Sequence, residues 1–371
     1  MWDLAQTIER VGAKIPGALA PPGALARAQA VARRLPADLT GCFYFERRLR
    51  DDTPRVDFIF RVDAAARSRL EDLPSRFEDD GPSHSSWARI ASFARAWREA
   101  GTRMEQEVEA IWVELDLPVG GPPPVPRVFV DFTPLSPPAS AEARGPLALE
   151  VLRVLMGGEL DLALEENVRA CFERLPSAAY VPYVGLTPGV ATAPVRLCAQ
   201  NLGAQTVSYL AEVGWPGRGA HLRGVLDSLS AAKADGSSAA SVVHVDLQPR
   251  VAPRIGLECP FARDVQWEGR LRETGLLDHV VARGWCAPEA RDALLQWPGR
   301  EVELLPHDIW PTRVGRRVAH LKLTLAPDEE TILKAYLCVR LDPARGATLL
   351  GARPFVPASS APAPRQPRAI E

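Results

Sequence analysis

Lys334 and Tyr336 stand two residues apart in the segment LKAYL, and on a β-strand that spacing puts both side chains on one face. Lys322 in HLKLTL, Arg196 in VRLCAQ, Arg61 in FIFRVD and Arg254 in PRIGLE are cations at alternating positions of four other strand-like runs. If the last two runs form one hairpin, Lys322 and Lys334 repel unless an anion or a carboxylate lies between them. Glu258 and Asp246 are the carboxylates expected to compete for that place. Glu258, in the apolar-flanked phrase GLEC, can also take a proton from a reacting group. Glu46 in CFYFERRL is a further acid of this kind, and its purely structural role would be to pair with Arg48 or Arg61.

The elements that must position these side chains are paired runs of period two. They cover Cys42 to Leu49 with Arg55 to Asp63, Ala110 to Leu117 with Arg127 to Thr133, and Tyr180 to Leu186 with Val195 to Leu202. Ser241 to Leu247 with Arg254 to Cys259, and Val318 to Leu325 with Leu333 to Arg340, complete the set. Short turn-rich stretches such as RDDTP, TPGVATAP and APDEET join each pair, as hairpins require. Between hairpins the period becomes helical, as in LALEVLRVLMGG, HLRGVLDSLSAA and HSSWARIASFARAWREAG. Hairpins recur about every 60 to 75 residues, a period that implies one supersecondary unit repeated in space.

Ten antiparallel strands either expose long edges or close, and closure abolishes the edges. The expected fold is α+β: a closed ten-stranded antiparallel β-barrel from five helix-flanked hairpins, helices outside, over residues 1–354. A Pro-rich disordered tail is expected at 355–371. The apolar faces, such as Val56, Phe58, Phe60 and Val62, then meet the helices, and the polar faces line the lumen. Tyr44, Glu46, Asp57, Arg61, Trp112, Glu114, Phe129, Asp131, Arg196, Cys198, His244, Asp246, Arg254, Glu258, His320, Lys322, Lys334 and Tyr336 are among the residues expected inside. About eight strands is where side chains just fill a barrel, so ten leave room for a ligand. The alternative is an ordinary sandwich with these charges on its solvated face.

The 371 residues, 24% charged with a formal net charge of −2, give no electrostatic reason to expect nucleic acid as a partner. No stretch approaches the roughly 18 apolar residues of a membrane span, and no leader is expected, which points to the cytoplasm. Six cysteines without a CxxC pair read as free thiols, with no metal site. GxGxxG, GxxxxGKS, GxSxG and DDxxD-type motifs are absent, and the GWPG and QWPG phrases read as turn punctuation.

Five helix-flanked hairpins in series resemble the plan of the ABBA-type (PT-barrel) aromatic and peptide prenyltransferases. The phrases VRLCAQNL, GWPG, PRIGLECPF and HLKLTL followed by LKAYL are similar to those of uncharacterised bacterial members. The resemblance implies transfer of an allylic group from a diphosphate, such as dimethylallyl diphosphate, to an electron-rich ring of a small molecule or a peptide. It implies diphosphate binding by Arg61, Arg196, Arg254, Lys322, Lys334 and Tyr336, with at least three cations converging on one anion site. Tyr44, Trp112 and Phe129 would shield the cation and face the acceptor. Glu46 would receive the acceptor's ring nitrogen, and Glu258 would take the ring proton. No cofactor is required; the acid-rich lumen is compatible with Mg²⁺, with a cationic acceptor, or with a non-catalytic barrel that binds a ligand or peptide as an accessory factor in natural-product biosynthesis. Oligomeric state is not legible.

Overall fold

The computed structural model describes residues 3–20, 23–50, 55–118, 120–132, 141–233, 239–261, 271, 275–303 and 311–343. The expected tail at 355–371 lies outside them.

Strands form wherever apolar residues alternate. They are β1 (Cys42–Arg48), β2 (Val56–Asp63), β3 (Val108–Leu115), β4 (Arg127–Phe132), β5 (Tyr180–Leu186) and β6 (Val195–Gln200). β7 (Val242–Leu247), β8 (Val251–Pro260), β9 (Gly299–Glu303), β10 (Thr312–Leu325) and β11 (Ile332–Pro343) follow. All neighbours are antiparallel. The ladder runs β1 through β8, then β10 and β11, and β11 pairs back onto β1 with Tyr336 opposite Glu46 and Cys338 opposite Tyr44. The ring of ten strands is therefore closed, as expected. The eleventh strand, β9, was not expected; it adds to β10 at Thr312–Arg316, beyond the part of β10 that pairs with β8.

The helices lie outside the ring. They are α1 (Leu4–Gly12), α2 (Ala26–Ala32), α3 (Leu73–Arg76), α4 (Pro82–Arg98), α5 (Arg103–Glu107), α6 (Ala141–Met156) and α7 (Leu162–Glu173). α8 (Thr206–Glu212), α9 (Gly219–Ala231), α10 (Leu276–Ala282) and α11 (Pro288–Gln296) complete them among the described residues. α1 starts at Asp3, whose Oδ1 accepts hydrogen bonds from the amides of Ala5 at 2.8 Å and Gln6 at 3.2 Å. α4 places Trp87, Ile90, Phe93, Ala94 and Trp97 on one buried stripe, at helical spacing. That stripe shares a single apolar core with the outward faces of the strands, including Phe43, Phe45, Phe58, Phe60 and Val62. Each such phenylalanine contributes roughly 1.5–3 kcal/mol by leaving water. Two much smaller clusters lie inside the ring: Ile59, Ala319, Tyr336 and Cys338, and Phe129, Cys198 and Val242.

Candidate functional site

The lumen holds a cavity of about 190 Å³. Its aromatic wall is Tyr44, Trp112, Phe129, Tyr183 and Tyr336, and its polar wall is Glu114, His244, Glu258, His320 and Lys322. Tyr44 and Trp112 meet with ring centroids 5.1 Å apart, and His320 stacks on Tyr336 at 4.2 Å. Two glycines make room for this packing: a Cβ on Gly185 would stand 2.4 Å from the Phe129 ring, and one on Gly256 2.9 Å from Lys322 Cε.

One chain of polar contacts crosses the floor of the cavity. Lys322 Nζ lies 3.2 Å from His244 Nδ1, and His244 Nε2 lies 2.6 Å from Glu258 Oε1. Cys198 Sγ is 3.5 Å from the same Nδ1, and His320 Nε2 stands 3.9 Å from Glu258 with no hydrogen-bond partner. Burial and then the Lys322 ammonium hold His244 down at about 4, so it is neutral near pH 7. Burial opposes charge on Glu258, yet His320, His244 and Lys322 outweigh it and hold this carboxyl well below its usual range. Nε2 of His244 therefore carries the hydrogen and donates to Glu258, leaving the Nδ1 lone pair facing Lys322 and Cys198.

Most of the expected anion-binding cations are already engaged by carboxylates. Lys334 Nζ donates to Oε1 of Glu46, which is 1% exposed. Burial raises the Glu46 carboxyl, but Lys334, Lys322 and the Tyr336 hydroxyl together hold it at about 2. Arg196 grips Asp246 with two parallel bonds of 2.6 and 2.8 Å. Arg61 is shared among Asp63, Glu109 and Asp131 toward the end of the barrel opposite the hairpin turns. Arg254 is exposed and pairs with Glu329, because it lies beyond Ile255, the last β8 residue that pairs with β10. Of the six expected diphosphate ligands, Lys322 and Tyr336 line the cavity, whereas Arg61, Arg196, Arg254 and Lys334 are engaged by carboxylates. Lys322 and Lys334 are opposite each other as expected, but Glu46, and neither Glu258 nor Asp246, neutralises Lys334.

The three expected aromatic residues all face the cavity. Tyr183 was missed because a β-bulge between Tyr180 and Tyr183 shifts the alternation of β5 against β6. His320 and Cys198 were legible as inward by alternation, but nothing in their spacing marked them as cavity-lining. Among the described residues, no group of three His, Cys, Asp or Glu side chains is placed to hold a metal ion, so Mg²⁺ has no protein-made cage there. All six cysteines are free thiols.

No protein-family model matches the sequence, and no curated protein matches it either. Solved structures do. The ternary complex of prenyltransferase PriB with L-tryptophan and dimethylallyl thiolodiphosphate superposes with a TM-score of 0.54 over 90% of this chain and 94% of that one, at 15% identity. The PriB complex with product diphosphate gives 0.52 at 16% identity over 90% of this chain and 94% of that one. AnaPT from Neosartorya fischeri gives 0.50 at 9% identity over 90% of each chain. The chain therefore has the fold of the ABBA-type prenyltransferases, the PT barrel. No helix among its described residues is long and apolar enough to cross a membrane.

Proposed function

We propose that the chain is an aromatic prenyltransferase whose lumen takes an allylic diphosphate such as dimethylallyl diphosphate and an electron-rich ring. The observation that carries this reading is the aromatic-walled cavity in the barrel lumen, with Lys322 among its lining residues. Lys322 stabilises the departing diphosphate, assisted by the Tyr336 hydroxyl. The faces of Tyr44, Trp112, Phe129, Tyr183 and Tyr336 shield the allylic cation and keep out water that would capture it. Glu46 lies outside the lining of this cavity, although its buried Oε2 has no hydrogen-bond partner, so its expected contact with an acceptor N–H is not part of this reading. The alkylated ring is a strong acid, so Glu258 accepts its proton even with its basicity held low. We place the acceptor as an indole-like or phenol-like ring, free or on a peptide side chain.

The test is incubation with dimethylallyl diphosphate and a panel of tryptophan, tyrosine, indole and a tryptophan-bearing peptide, followed by mass spectrometry. A prenylated product is expected, and Lys322→Ala should lower kcat/KM by about 100-fold. The engagement of Arg196 by Asp246 and of Lys334 by Glu46 favours a second reading, a non-catalytic barrel that binds a ligand or peptide as an accessory factor. Calorimetry with dimethylallyl thiolodiphosphate separates the two. No heat of binding, together with no product from any acceptor, would set aside prenyl transfer.

A further inference from the structure

We propose that Lys322 is a carbonyl-reactive amine whose Nζ condenses with a small apolar aldehyde held in the lumen cavity. This stands apart from prenyl transfer and needs no diphosphate. Three observations converge on it. Lys322 is 6% exposed yet borders the cavity, so its amine faces the lumen from a buried position. Among the described residues it has no carboxylate within ion-pair distance, whereas Lys334 across the hairpin has Glu46 and Lys14 has Glu301 and Glu303. Its one hydrogen-bond partner is a lone pair, Nδ1 of His244, oriented by Glu258 behind it.

That arrangement supplies what imine formation needs. The free amine attacks the carbonyl carbon, and the proton it sheds passes to His244 Nδ1 while Glu258 supports the transient imidazolium. That proton returns to the alkoxide oxygen to give the neutral carbinolamine, and the remaining N–H proton passes by the same His244 route to the hydroxyl, which departs as water and leaves the C=N bond, so atoms and charge balance with no further reagent. The tyrosine and tryptophan faces around the cavity suit an aryl or alkenyl aldehyde and exclude the water that would hydrolyse the imine. The charged and titratable groups around Lys322 are Arg196, Glu114, Glu258, Glu46, Asp246, His244, His320, Cys198 and Lys334. Burial, and then Arg196, outweigh the carboxylates and bring Lys322 down to about 8. At pH 7.5 about a quarter of it is then free amine, against on the order of one part in a thousand for an ordinary lysine.

The chain has four lysines, Lys14, Lys233, Lys322 and Lys334, so the site can be mapped without ambiguity. The full-length protein is incubated with benzaldehyde and sodium cyanoborohydride at pH 7.5, and N-benzylation is located by peptide mass mapping. Labelling of Lys322 should exceed that of Lys14 at least tenfold at early times. Its rate should level off above about pH 8. The label should vanish from this peptide in Lys322→Arg and persist in Lys334→Arg. Equal or faster labelling of Lys14 or the α-amino group, or none at Lys322, overturns the proposal. Because the wild-type ratio decides, a Lys322→Arg protein that failed to fold would leave the test intact.

Discussion

Glu46 buries a full carboxylate, spends one oxygen on Lys334 and leaves the other without a partner. Such a charge is tolerable only while its counter-ion stays, so Lys334→Ala should cost about 3–5 kcal/mol in thermal unfolding. Glu46→Gln combined with Lys334→Met should recover most of that loss. A carboxyl held at about 2 adds stability above its unfolded value near 4, and that part disappears as pH falls from about 4 toward 2. Asp131 behaves in the opposite sense. Burial outweighs Arg61 and raises it to about 7, so the folded state holds a proton that the unfolded state has released. Stability should therefore fall between about pH 4 and pH 7, and Asp131→Asn should flatten that slope and gain about 2 kcal/mol at pH 8. Melting curves across pH check both signs. Which residues face inward was legible from alternation wherever no bulge intervenes, since parity is fixed by the pleat; Tyr183, past the β5 bulge, was not. Which cation meets which carboxylate was not, because Glu46 and Lys334 are 288 positions apart and meet through β1–β11 closure.

At the scale of the strand, two glycines and two bulges decide the shape of the cavity. Gly185 lets the Phe129 ring lie across β5, and an added methyl group would stand 2.4 Å from that ring. Gly185→Ala should therefore push Phe129 into the cavity, lower stability by about 1–3 kcal/mol and weaken ligand binding more than Gly158→Ala, which meets no neighbouring atom and tests the generic effect of losing a glycine. Calorimetric titration with the prenyl thiolodiphosphate measures the difference. Bulges at Tyr180/Tyr183 and Val318/His320 break the period of two, and no residue type marks them in advance. β9 escaped notice for another reason. GREVE alternates but has no apolar face, and its Val302 is 59% exposed. Its acids instead meet Lys14, just past the end of α1, and Arg316 of β10, charges that suit the edge of a sheet. The five hairpins were plain because each had an apolar face long enough to read.

Closure is a property of the whole molecule, and it rests on β11, which holds β10 on one side and β1 on the other. Closure was legible in the sequence by elimination: ten strands with helices to cover one face leave no room for two long open edges. What could not be reached was how far the barrel had filled its own lumen with ion pairs, because net lumen charge depends on register all round the ring. The two kinds of strand make closure testable. Ala335 is fully buried, and its backbone lies between Leu321 of β10 and Arg47 of β1. A proline there removes an amide from the seam that closes the ring and brings its own ring into a packed site, so Ala335→Pro should cost more than about 3 kcal/mol. Val302→Pro, on the edge strand outside the ring, removes at most one ladder bond and should cost under about 1 kcal/mol. Denaturant unfolding of the two variants provides the comparison. If the barrel closes through β11, the first should lose near-ultraviolet dichroism from the lumen aromatics at much lower denaturant than wild type, while the second tracks wild type; similar midpoints for both would mean the seam contributes little to holding the ring.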